Sequence, residues 1–177
     1  MWYSTGVYFR PSLIYYLSIN DLPSCNLFSK QRMYADDSTL TSSAEDPCVL
    51  EHKMNYDINL IQSWLSANKL TLNIMKTKYM LIGSQFKLSQ INSDFTVKVN
   101  NTSLERVIKH KSLGVQIHES LNWRPHINTI SKKMSAGIAI LWRVSHFIPF
   151  GTRVNSYSAQ VMPYFNYCSA VWGSINK

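Results

Sequence analysis

Two adjacent aspartates, Asp36 and Asp37, stand between an apolar approach (Met33, Tyr34, Ala35) and a Ser/Thr-rich exit (Ser38, Thr39, Leu40, Thr41). Two short strands flanking a polar pair read as a hairpin with both carboxylates at its tip. Neighbouring carboxylates repel one another, and partial burial sharpens the repulsion unless a cation neutralises them. A hard divalent ion such as Mg²⁺, or Mn²⁺ in its place, takes oxygen ligands of this kind and shares them with substrate phosphates. The chemistry such a tip could serve is phosphoryl or nucleotidyl transfer, with Asp36 and Asp37 as catalytic and metal-binding residues. The same letters also suit a plain exposed turn, for which Asp is a common choice.

The elements that must hold this tip follow an α+β pattern. Residues 1–10 have no clear period, and Ser12 to Ile19 is apolar and aromatic enough for a short buried helix. Beyond the hairpin, Asp46 suits an N-cap and Pro47 a first helical position. Leu50, Met54, Ile58, Ile61 and Leu65 recur at three- and four-residue intervals, an apolar stripe to be laid on a sheet. Leu70 to Ile82 reads as a strand or strand pair carrying Asn73, Lys76 and Thr77, and residues 84–94 read as a loop. Phe95, Val97 and Val99 alternate with polar residues, Asn100-Asn101 makes a turn, and Leu104 to Ile108 returns. Leu113, Val115 and Ile117 alternate again, with Gly114 marking a bulge or a close backbone approach.

Two long helices finish the chain. The first carries Ile127, Ile130, Met134, Ile138 and Leu141 and stops at Pro149. The second starts at a Thr152 cap, carries Val154, Tyr157, Val161, Phe165 and Cys168, and is kinked by Pro163. The softest boundary lies near 119–125, dividing the chain into domains 1–119 and 120–177.

Hydrophobic content of 45% with 12% aromatics is enough to build a core. The net charge of +8 is uneven: residues 1–68 sum to −3 and residues 69–177 to +11. An acidic half with a cation site beside a basic half suits a protein that grips a polyanion, although solvated lysine-rich faces give the same count. Cys25, Cys48 and Cys168 lack zinc or redox spacing and read as small buried apolar residues in a reducing compartment. No apolar run nears the ~20 residues that span a bilayer, and no leader is evident, so a nuclear or cytoplasmic location is expected. His118, His126 and His146 are too scattered for a metal cluster and read as structural.

Tyr34-Ala35-Asp36-Asp37 resembles the catalytic hairpin of reverse transcriptases. Ile19-Asn20-Asp21-Leu22-Pro23 precedes it; Leu72-Asn73-Ile74-Met75-Lys76-Thr77, Leu113-Gly114-Val115 and Leu121-Asn122-Trp123-Arg124-Pro125-His126-Ile127 follow. In that order the five stretches resemble the polymerase of non-LTR, LINE-type retrotransposons from about residue 17 onward. The resemblance implies a partial polymerase palm, an antiparallel sheet with a packed helix, followed by a helical thumb-like region. It implies RNA-templated DNA synthesis with two Mg²⁺ ions, an RNA template, a DNA primer and dNTP. Asp36 would be the main ligand, Lys76 would neutralise leaving pyrophosphate, and Tyr34 would pack on the primer–template side. A primer-grip hairpin would use Lys109, Lys111 and Gly114, with Trp123 and Arg124 beside it. The resemblance also implies a third aspartate on an earlier strand and a set of fingers, and the chain starts too late to contain them. Asp21 sits in another motif and is no substitute. The expectation is a truncated palm and thumb, inactive alone. The alternative is a non-catalytic nucleic-acid-binding or assembly fragment, in association with an intact element polymerase.

Overall fold

In a computed structural model the chain is described over residues 3–9, 27–34, 37–91 and 95–173. The expected helix Ser12–Ile19, the Ile19–Pro23 motif, Cys25, Ala35 and Asp36 lie outside the described residues. The described strands and helices run β1 (Tyr3–Phe9), β2 (Lys30–Tyr34), β3 (Asp37–Ala44), α1 (Pro47–Ala67), β4 (Lys78–Ile82), α2 (Gln85–Gln90), β5 (Lys98–Val99), β6 (Thr102–Ser103), β7 (Glu105–Arg106), β8 (Lys109–Ser112), β9 (Val115–His118), α3 (Arg124–Val144), α4 (Phe150–Gln160), α5 (Met162–Asn166) and α6 (Ser169–Trp172). The chain is α+β and packs as two units. One comprises residues 1–110 with 119–121, the other 111–118 with 122–177.

The first unit is a five-stranded sheet in the order β2-β3-β1-β4-β7 under α1. It is mixed rather than wholly antiparallel, because β7 runs parallel to β4. The central strand β1 comes from residues read as patternless. Tyr3 and Val7 bury on the helix side while Ser4 and Tyr8 are only half-buried, an alternation that short, Ser- and Gly-containing sequence hides.

Helix α1 forms as its local signals require. Asp46 Oδ1 accepts the Cys48 N–H at 2.9 Å, and Pro47 opens the first turn. All five residues of the apolar stripe are fully buried against Val7, Leu40, Tyr79 and Leu81. The helix stops at Lys69 (φ 58°), where Leu70 N–H reaches back to the Leu65 carbonyl and Lys69 N–H to that of Ser66. This pair of bonds satisfies the last carbonyls, with lysine in the left-handed place usually held by glycine. Residues 85–90, expected as loop, are a short helix because the Ser84 hydroxyl caps it by accepting the Lys87 N–H at 3.3 Å.

Strands β8 and β9 pair as a hairpin of which residues 111–118 belong to the second unit, and α3 to α6 follow there. Helix α4 starts after Pro149, so Thr152 lies inside it rather than capping it. Pro163 does more than kink the last helix: α4 ends at Gln160 and α5 restarts at Met162. Cys168, at φ 51°, breaks the helix again before α6. Cys48 is exposed and Cys168 only half-buried, against the buried positions expected. No helix among the described residues is long and apolar enough to cross a membrane.

Candidate active site

Strands β2 and β3 pair with Tyr34 opposite Asp37, so the link between them is two residues long, Ala35 and Asp36. Two-residue links are the commonest hairpin connections. Directly paired residues of antiparallel strands share a face. The register therefore puts Lys30, Arg32 and Tyr34 of β2 with Asp37, Thr39 and Thr41 of β3 on the sheet face away from α1. Through Tyr8 the same face continues to Lys78 of β4 and Glu105 of β7. Arg32, Thr39, Tyr8, Lys78 and Glu105 make one row across the five strands. Asp37 and Tyr34 head the next row, at the hairpin end.

On this face Lys30, Arg32 and Tyr34 are exposed and Asp37 is half-buried. Lys78 Nζ sits 2.8 Å from Glu105 Oε2, an exposed ion pair. Tyr8 stacks on the His110 ring at 3.8 Å between centroids, and burial pushes its phenol above the usual tyrosine range. Lys30 and Arg32 share this face with Asp37, although sequence reading did not single them out. Their signal was the two-residue spacing Lys30, Arg32, Tyr34, which a strand turns into one face.

The hairpin is anchored from behind by α1. Asp57, fully buried, accepts the N–H groups of Phe28 at 2.9 Å and Ser29 at 2.7 Å, and also the Ser29 hydroxyl. A buried carboxylate needs several donors to offset its desolvation, and here they are the backbone leading into β2. Asn55 does similar work two residues earlier. Its amide donates to the Thr96 carbonyl at 3.1 Å and its oxygen accepts the Lys98 N–H at 2.7 Å. Asp57 was findable: it is a charged residue inside the stripe of Met54, Ile58 and Ile61.

Lys76 is placed differently from expectation. The Asn73 carbonyl and side chain both accept the Lys76 N–H, closing a turn, and β4 begins only at Lys78. Lys76 is therefore an exposed turn residue, and Lys78 is the lysine that shares a sheet face with Asp37.

The expected primer-grip residues divide. Lys109 and Lys111 are both exposed and alternate with His110 and Ser112 along β8. Leu113 (φ 45°) and Gly114 (φ 85°) form the two-residue hairpin turn to β9. Positive φ at both positions is the twist-matched geometry for such a link, so Gly114 marks a turn rather than a bulge. A Cβ on Gly114 would lie 3.3 Å from the Tyr167 ring. Trp123 flanks the start of α3 without a side-chain cap, and exposed Arg124 donates its N–H to Asn122 Oδ1 at 3.0 Å. Lys111 and Gly114 line one cavity with His126; Trp123 and Arg124 do not.

The donor set can be tested for a divalent ion. Among the described residues Asp37 is the carboxylate at the hairpin end, and Mg²⁺ takes oxygen ligands of this kind together with water and phosphate oxygens. Strand β1, beside β3, offers this face Ser4, Gly6 and Tyr8 among the described residues. Among the described residues no group of three His, Cys, Asp or Glu side chains could hold a metal.

No protein-family model and no solved structure matches the chain. The sequence is similar to a retrovirus-related Pol polyprotein from type-1 retrotransposable element R1 2 of Nasonia vitripennis, 22% identical over 160 residues, 81% of this chain and 36% of that protein. The chain thus spans little more than a third of that relative's length, at 36%. This similarity supports a mobile-element-related protein of non-LTR retrotransposon origin.

Proposed function

We propose that the chain is the palm and thumb-like part of an RNA-directed DNA polymerase from a non-LTR element, and that alone it binds nucleic acid without extending it. The observation that carries this reading is the Tyr34–Asp37 hairpin closure, which sets a carboxylate tip on a sheet face bearing Lys30, Arg32 and Lys78. Lys30 and Arg32, exposed at strand spacing, suit the phosphates of a nucleic-acid backbone, Lys78 is paired with Glu105 on the same face, and exposed Tyr34 offers a ring to a base or sugar at its edge. When bound, Mg²⁺ at Asp36 and Asp37 would neutralise triphosphate charge and acidify a hydroxyl. The neutralising part first given to Lys76 suits Lys78 better, because Lys78 shares the face of Asp37. The third aspartate implied by the resemblance has no counterpart on β1, whose residues are Tyr3 to Phe9.

Primer extension on an RNA template with Mg²⁺ or Mn²⁺ tests the first half; no incorporation is expected. Incorporation that Asp36→Ala abolishes would show a working centre and overturn the inactive reading. Binding of an RNA–DNA duplex tests the second half. It should weaken with salt, and Lys30→Gln with Arg32→Gln should lower the log–log salt slope by roughly 2. A slope unchanged by the pair would remove this face from the interface.

A further inference from the structure

A cavity of about 440 Å³ opens within the second unit, walled by α3, α5 and the β8–β9 hairpin. That volume falls in the range of small-molecule sites, ~300–1,000 Å³. At its wall stands His126, only 4% exposed. Its Nδ1 accepts the Gln116 N–H at 3.2 Å, which puts the ring proton of the neutral form on Nε2. That Nε2–H is buried and has no hydrogen-bond partner among the described residues. Trp172, packed edge-on at 5.8 Å, offers it no oxygen or nitrogen acceptor. A buried donor left without an acceptor costs about 1–3 kcal/mol, so a ligand that supplies one is favoured.

The remaining lining narrows the chemistry. Lys111 and Lys133 are both exposed at the cavity, and no carboxylate is among the described residues that line it. Lys133 Nζ lies 5.7 Å over the Tyr164 ring, which holds the charge beside an aromatic face. Tyr167 donates its hydroxyl to the Leu113 carbonyl, which fixes its ring at the hairpin turn. The cavity therefore combines cations for an anion, a buried donor for an acceptor, and flat aromatic walls for a ring. We propose that it binds a nucleoside monophosphate, free or as the unpaired end of a strand, with the phosphate between Lys111 and Lys133, the base against Tyr164 and Tyr167, and an acceptor on His126 Nε2–H. The cavity shares no lining residue with the Asp36–Asp37 stretch, and its occupancy does not depend on whether the chain polymerises.

The test is calorimetric titration of the full chain with adenosine monophosphate, adenosine and inorganic phosphate as separate probes. Adenosine monophosphate should bind saturably, and each of the other two at least tenfold more weakly. The double variant Lys111→Gln/Lys133→Gln, at two exposed positions, should keep its circular dichroism and lose tenfold or more in affinity. His126→Phe should lose affinity too; should it fail to fold, the lysine pair still decides. Asp37→Ala should leave binding unchanged, which separates this site from the hairpin. Competition by a 5′-phosphorylated single strand but not a blunt duplex would assign the site to strand ends; competition by neither would assign it to the free nucleotide. Absence of saturable binding, phosphate binding as tightly as the nucleotide, or a double variant within twofold of the parent would each overturn the proposal.

Discussion

Helices α1 and α3 are both 21 residues long, both carry proline in the first turn, and both present apolar residues at three- and four-residue spacing. Their burial differs sharply. Leu50, Met54, Ile58, Ile61 and Leu65 of α1 are all fully buried, whereas α3 buries only His126 among its described residues. Ile138 of the α3 stripe is 47% exposed, and Trp142 beside it 74%. Periodicity creates an apolar face; burial needs a second surface of matching extent. Helix α1 has one in the β3-β1-β4 part of the sheet. The elements that α3 meets most inside its own unit, α4 and β9, are short, as are α5 and α6, and Ile138 and Trp142 stay exposed.

The largest expected effect follows directly. Ile58→Ala should cost about 2–5 kcal/mol, the loss of a buried side chain plus the cavity left behind. Ile138→Ala, an equal truncation on the other helix, should stay within roughly 0.5 kcal/mol. Urea unfolding followed by hydrogen exchange measures both and shows which unit each variant weakens. Equal costs would mean that α3 is covered in solution and that the contrast between the helices is false.

The next effect tests whether α1 also organises the hairpin. Asp57→Ala leaves the Phe28 and Ser29 N–H groups without their acceptor and should cost about 3 kcal/mol. Amides 28–34 should exchange faster before the rest of the sheet does. Unchanged protection there would make Asp57 a bystander rather than the anchor of β2. In the second unit the comparable backbone device is the Leu113–Gly114 turn. Gly114→Ala meets both a positive φ and the Tyr167 ring, and should lower thermal stability by about 1–2 kcal/mol. Intact melting would show that the ring gives way and the turn tolerates a side chain.

Legibility followed the same divide. Helix α1 was readable because its cap, its proline and its stripe are local signals that agree, and the sheet then rewards them. The pairing of β2 with β3 was readable because apolar and Ser/Thr stretches flank the acidic pair, but Asp37, expected at the tip of the turn, opens β3 opposite Tyr34. What escaped depended on register or on distant partners. Lys76 and Lys78 look equivalent in sequence, and only the Asn73 turn decides that the strand starts at Lys78. Lys30 and Arg32 joined the face of Asp37 only once β2 paired with β3. Asp57 needed the backbone of Phe28 and Ser29, nearly thirty residues away, to show why a charge sits in an apolar stripe. In the second unit Pro163 and Cys168 divide what apolar spacing suggested was one helix, because a missing N–H and a left-handed backbone outweigh a stripe with little to pack on.

The smallest effect sharpens the contrast through the one buried side chain of α3. His126 is held neutral: burial lowers its pKa from the ordinary 6.5, and the nearby Lys133 ammonium lowers it further. Lys111 on β8 adds a like charge at the same cavity, whose described lining carries no carboxylate. With the folded pKa below the unfolded one, the unfolded chain takes up the proton first as pH falls. Stability is then complete above about pH 6.5 and declines as pH drops from there toward the folded value. Melting of the second unit should therefore move down between pH 7.5 and 5.5, while His126→Gln, which cannot titrate, should flatten that difference. The shift is small because it comes from one ring and leaves every packing contact in place until the proton binds. A parent chain that melted identically at both pH values would mean that protonation of His126 is not coupled to the stability of this unit.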